Sequence, residues 1–195
     1  MTKSLILGTI LGGLMAFVWS SISWELIGWH EKTMVAFHNE DEVSAVIASH
    51  AGQDGTYILP STPPTAGMTP EQKKNVMAAV IQKMQTGPIM VAGVRRGGFG
   101  SYSRTLIIQL LSLMAAAFLL TWLLLQTSGL SYARRVAFLA IVGLAASVIV
   151  DLPNWNWWGF SGAYTAVNLA DSMLTWLVAG LVIAKVAKPA HPATT

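Results

Sequence analysis

The chain reads as an all-α membrane protein of four transmembrane helices, with a small extracytoplasmic α/β (α-β-α-β) insertion between helices one and two. Two observations predict this class. Of the 195 residues, 53% are hydrophobic and only 11% charged, and the mean hydropathy is +0.54, far from the balance of a soluble domain. That apolar content is gathered in residues 4–24, 105–126, 136–150 and 163–184. Each is near the ~20 residues a helix needs to cross a hydrocarbon core of roughly 30 Å. The organisation that follows is a first helix with its extension at 1–29, an insertion at 30–103, a three-helix membrane bundle at 104–187 and a disordered cytoplasmic tail at 188–195.

Composition excludes several functions. There is no cysteine, so disulfides, thiolate metal sites and cysteine nucleophiles are ruled out. The formal net charge of +3 comes from cations that flank apolar segments, where they anchor against headgroups rather than nucleic acid. Across the long connection from about Glu25 to Ser103, Lys32, Lys73, Lys74, Lys83, Arg95, Arg96 and the boundary Arg104 balance Glu25, Glu31, Glu40, Asp41, Glu42, Asp54 and Glu71, which leaves it neutral.

Span one follows Lys3, and Ser21-Ile22-Ser23 offers small residues of the kind a signal peptidase cuts after. The uncharged run is longer than a usual signal core and ends in Trp19 and Trp24, so the segment is expected to stay as an uncleaved span. Gly8 and Gly12 share one face and let another helix approach closely, and Gly143 and Ser147 offer the same in span three. Orientation comes from Arg134 and Arg135 between spans two and three, and from Lys185 and Lys188 after span four. The connection 151–162 has no cation. The positive-inside rule then puts both termini in the cytoplasm of a bacterial inner membrane and residues 30–103 in the periplasm or outside the cell. Arg95, Arg96 and Arg104 pull the other way.

In the insertion, the span-one helix is expected to run on through Trp29 and His30. Asn39 with Glu42 forms a capping box for a helix whose apolar face is Val43, Val46 and Ile47. Residues 56–59 read as a strand before the prolines at 60, 63 and 64. Thr69, Pro70 and Gln72 then start a helix that Gly87 closes, and residues 89–94 form a second strand. The last three elements read as a right-handed βαβ unit. Two strands make a marginal sheet, so the domain is expected to lean on something else.

Span four carries the sharpest chemistry. Ser161, Thr165, Asn168, Asp171 or Ser172, and Thr175 recur at three- and four-residue steps along one helical face. Asp171 lies on the order of 10 Å below the interface, and no Lys, Arg or His shares its depth, so it is expected to lack an ion partner within the chain. An acid inside a span suggests a proton or ion path. The plainer use is a carboxyl hydrogen-bonded to Asn168, to Ser147 of span three or to a serine of span one. A proton pump shows a relay of acids, and one acid argues against conduction.

The connection 151–162 is dense in aromatics. Trp155, Trp157, Trp158 and Phe160 suit an interfacial belt, with a lipid, quinone or pigment contact as the rarer use. His30, His38 and His50 fit neither a helical metal pair nor a zinc-finger spacing, so a metal is the minor reading and no cofactor is expected. Arg95-Arg96-Gly97-Gly98-Phe99-Gly100 lacks the ending of a nucleotide-binding loop.

The expected function is that of a non-catalytic accessory or scaffold subunit, in contact with the lipid bilayer and with a protein partner or a second copy, and not with nucleic acid. Its motives are Gly8 and Gly12, a polar stripe without an internal partner, and a sheet too small to stand alone. The alternatives are a proton-coupled carrier or channel subunit using Asp171, and an extracytoplasmic module binding a metal or small ligand through the three histidines.

Overall fold

The computed structural model describes residues 2–187; the tail expected at 188–195 lies outside them. Four helices are long and apolar enough to cross a membrane: Thr2–Ile27, Tyr102–Leu125, Tyr132–Trp158 and Gly162–Val186. The chain is a multi-pass, mostly helical membrane protein. It divides into two compact units. One holds the chain through Val35, Ser101–Trp155 and the chain from Phe160 on; the other holds Ala36–Gly100 with Asn156–Gly159.

In the membrane unit, α1 (Thr2–Ser21) packs against α4 (Tyr102–Leu125) and α6 (Gly162–Val186), and α5 (Tyr132–Trp158) packs on α6. Small residues set the spacing. Gly8 and Gly13 face Thr121 and Met114 of α4, while Gly12 faces Ile183 of α6 and Ala117 of α4. The Gly8/Gly12 face is thus used inside the chain, wedged between two of its own helices, and is not free for a partner. Ala16, Ala117, Leu124, Leu139, Trp176, Ala179 and Ile183 form the core these contacts enclose. Ser101 and Ser161 cap α4 and α6 by accepting from the amides of Arg104 and Tyr164.

The connection between spans three and four is shorter than its composition predicts. Helix α5 continues through Pro153 to Trp158, so most of the aromatic segment is helical. Proline forfeits one hydrogen bond, yet the turns beyond it still close. The helix stops where Gly159 takes a left-handed φ of 72°, and the Phe160 amide donates to the Asn154 carbonyl.

The first span also departs from a straight extension. After Ser21 the backbone widens into a π-helical stretch, Ile22–Ile27, and Gly28 turns left-handed at φ 65°. A single turn of 3-10 helix, Glu31–Thr33, follows. Glycine has no Cβ penalty there, so the chain reverses at Gly28 and brings His30 back against Ser23. The expected straight helix through Trp29 and His30 is replaced by a folded strap.

The second unit contains α2 (Glu40–His50), β1 (Gly55–Leu59), α3 (Pro70–Thr86) and β2 (Met90–Val94). Asn39 caps α2 by accepting from the Glu42 amide, while its side-chain amide donates to the Glu42 carboxylate. The strands pair antiparallel, Gly55 opposite Val94 and Leu59 opposite Met90, which overturns the βαβ reading. The reason is the length of the approach to α3. Residues 60–69 can extend as far as roughly 33 Å, whereas the 17 residues of α3 span about 25 Å. The connection runs out as coil and back as helix, so it begins and ends at one end of the sheet.

Thr69 and Gln72 close both halves of a capping box on α3, with Pro70 at its first position. Thr69→Ala is expected to cost ~1 kcal/mol of local stability. Amide exchange in the first turn of α3 should accelerate about fivefold, and unchanged protection there contradicts the cap's role.

Candidate functional site

The site is built where the strap meets α6. Asp171 sits in the third turn of α6 with a side chain 13% exposed. Trp19 Nε1 donates to its Oδ1 at 2.8 Å, and Ser23 Oγ donates to the same oxygen at 2.7 Å. His30 Nε2 lies 3.2 Å from Oδ2 and 3.3 Å from Ser23 Oγ. Trp29 Nε1 donates to Ser23 Oγ at 2.8 Å. His30 is 1% exposed and Ser23 0%. The His30 ring stacks on Trp24 with centroids 4.0 Å apart and planes 3° from parallel, and meets Trp29 edge-on at 5.7 Å.

The network fixes where the protons point. Ser23 has one hydrogen, and it goes to Asp171; toward Trp29 and His30 the same oxygen accepts. His30 Nε2 therefore carries a hydrogen and donates between Ser23 and Asp171. Both carboxyl oxygens act only as acceptors. His30 Nδ1 is buried with no hydrogen-bond partner.

The His30 imidazole thus meets Asp171 within the chain, contrary to the expectation from sequence that no histidine shares its depth. His30 is distant in sequence, and no helical spacing announces it; only the turn at Gly28 brings it to the depth of Asp171. A serine of span one, Ser23, is among the partners, as the plainer sequence reading anticipated. The aromatic residues closing the cluster, Trp19, Trp24 and Trp29, recur at five-residue steps along the sequence, a signal legible only once the π-helical stretch is known.

These are three residue types of a hydrolytic triad in the wrong order. In a triad one imidazole nitrogen faces the serine and the other the acid. Here Nε2 faces both, the serine proton is already given to the acid, and Ser23 is closed to solvent. The arrangement clasps; it does not activate a nucleophile. Burying a carboxylate costs several kcal/mol in effective terms, and hydrogen bonds to a charged group return about 1.5–3 kcal/mol each. The clasp therefore comes out near balance as a whole and is strongly unfavourable when half is missing.

The rest of the stripe serves other neighbours. Ser172 Oγ donates to the Gly143 carbonyl of α5 at 2.9 Å, so adjacent residues of α6 bind opposite helices. Gly143 permits this: a Cβ there would meet Trp176 and the Ser172 carbonyl oxygen, the latter at 2.9 Å. Thr175 is buried in the core and Thr165 is buried with its hydroxyl unpaired. Ser147 donates to Asp151 Oδ2.

Between α5 and α6 an open groove of about 430 Å³ is lined by Ala146, Ser147, Val150 and Asp151 from one helix and Tyr164, Asn168, Asp171 and Ser172 from the other. Asp151 is a second acid in the span, which the placement of span three at 136–150 left out. It belongs to α5 because that helix runs on to Trp158.

The remaining candidates are dispersed. Trp157 is 69% exposed and Trp155 also exposed; Trp157 and Trp158 belong to the insertion's unit, Trp155 and Phe160 to the membrane unit. Phe160 packs on Tyr164 with ring centroids 5.3 Å apart. His38 and His50 are exposed residues of the insertion's unit, whereas His30 belongs to the membrane unit. Among the described residues no group of three or more His, Asp or Glu side chains is placed to hold a metal ion. The chain matches no protein-family model, no curated protein and no solved structure.

Proposed function

We propose that the chain is a non-catalytic accessory or scaffold subunit of a bacterial inner-membrane complex, with both termini cytoplasmic and the insertion on the other side. The observation that carries this reading is the insertion's lack of a core of its own. Helix α2 buries no residue, α3 buries only Val80, and the apolar Met77, Ile81 and Met84 of α3 remain 44–47% exposed. A two-stranded sheet is marginal by itself, and a unit of this size needs an external surface to hold its shape. The exposed apolar face of α3 supplies such a docking surface. Arg134 and Arg135 after α4, and Lys185 at the end of α6, support the orientation.

Solubilising the native membrane in mild detergent tests the reading. The chain is expected to run in a larger assembly with a second protein in fixed ratio; a stable lone monomer sinks it.

A second reading, a proton-coupled carrier, is favoured by Asp151 and Asp171 lining one groove with His30 behind Asp171. In liposomes Asp171→Asn should then abolish coupled flux. Unchanged flux, or none from the parent protein, removes it.

A further inference from the structure

The groove between α5 and α6 presents a chemistry that lipid cannot answer. Ser147 and Asp151 are four residues apart on α5, and Asn168, Asp171 and Ser172 share one face of α6, so both helices turn their polar sides to the same space. A carboxylate accepts about four hydrogen bonds. Among the described residues Asp171 receives three, and Asp151 receives one, from Ser147. The Asn168 amide has no partner among the described residues, and no lysine or arginine among them pairs with either acid. Acyl chains offer neither donors nor charge, and an Asp facing them costs on the order of 2.5–3.5 kcal/mol near a helix centre.

We propose that this groove receives a membrane-spanning helix of a partner protein, and that this helix carries a lysine or arginine at the depth of Asp151 and Asp171. The proposal rests on the accessory-subunit reading and names the kind of partner. Charge complementarity selects the cation: two carboxyls share the groove, and among the described residues one imidazole meets them. The groove's form selects the carrier. It is open along the side of the bundle, so its occupant keeps a body outside while an extended cationic side chain enters. A volume of about 430 Å³ exceeds what a bare ion fills and suits such a side chain with its solvating neighbours. Ala146, exposed on the groove's α5 rim, lets a helix backbone come close. The ammonium or guanidinium donates to Asp151 and to the free side of Asp171 Oδ2, and the Asn168 amide takes a backbone or side-chain group of the same helix.

The absence of cysteine makes the test direct. The full chain, carrying one dye at Ser128→Cys in the α4–α5 turn, is reconstituted in phosphatidylcholine vesicles. It is titrated with a synthetic leucine–alanine transmembrane helix bearing a single lysine, and with the same helix bearing leucine instead. Energy transfer should report association roughly tenfold tighter for the lysine helix, the upper range for an interhelical polar contact in a bilayer. Asp151→Asn and, separately, Asn168→Leu should each remove most of that preference; neither residue belongs to the Asp171 clasp, so the fold is kept. Equal association of the two helices, or a lysine preference that survives Asp151→Asn, overturns the proposal. So does n-butylammonium displacing the lysine helix at equal concentration, which makes the groove a small-molecule site. A native complex that co-purifies unchanged with Asp151→Asn defeats this inference while leaving the accessory reading intact, whereas a lone monomer in native membranes defeats that reading itself.

Discussion

Replacing Asp171 by leucine is expected to destabilise the membrane unit by about 3–5 kcal/mol, the cost of stripping one side from a buried polar pair. The donors of Trp19, Ser23 and His30 would face a methyl group with no water to turn to. Asp171→Asn should fall between this and wild type: one oxygen still accepts from Trp19 and Ser23, but an NH2 group then opposes His30 Nε2–H. The double variant Asp171→Leu with His30→Leu should recover part of the loss, because it removes both halves of the pair together. Reversible unfolding in mixed detergent micelles measures all three. A loss below about 1 kcal/mol for Asp171→Leu would mean the clasp is solvated and carries little.

The second large effect is expected at Gly143. Alanine there places a methyl group 2.9 Å from the Ser172 carbonyl oxygen and against the Trp176 ring, so α5 and α6 must part. The loss should be about 2–3 kcal/mol, made of overpacking and the broken Ser172–Gly143 hydrogen bond. Gly180→Ala is the internal control. Its added Cβ would meet Leu139 at 3.4 Å, an ordinary contact, and alanine favours the helix by up to ~1 kcal/mol. Gly180→Ala should therefore be neutral or slightly stabilising by the same unfolding measurement. Equal losses at the two positions would show that the close approach of α5 to α6 at Gly143 is not what sets the cost.

Much of this architecture is legible in the residues because it rests on local rules. The four spans follow from runs of apolar residues, and the start of α3 from Thr69, Pro70 and Gln72. Glycines 8 and 12 announce close packing, though not that both faces are occupied by helices of the same chain. The features that escape are long-range or depend on one backbone reversal. Strand direction turns on how far residues 60–69 extend, which composition does not state. The end of α5 turns on whether Pro153 breaks the helix; it does not, and Asp151 comes to line the same groove as Asp171.

The sequence by itself determines that this is a multi-pass helical membrane protein with one polar stripe on its last span, because hydrophobic length and helical periodicity are properties of consecutive residues. Only the tertiary structure decides what that stripe does. The π-helical stretch and the left-handed Gly28 carry His30 back to Asp171 across an interval no periodicity spans, and the packing of α5 on α6 sets Asp151 beside it. A carboxyl's role in a membrane depends on which donors and charges stand within about 3 Å of it, and that is settled by how helices pack rather than by their order along the chain.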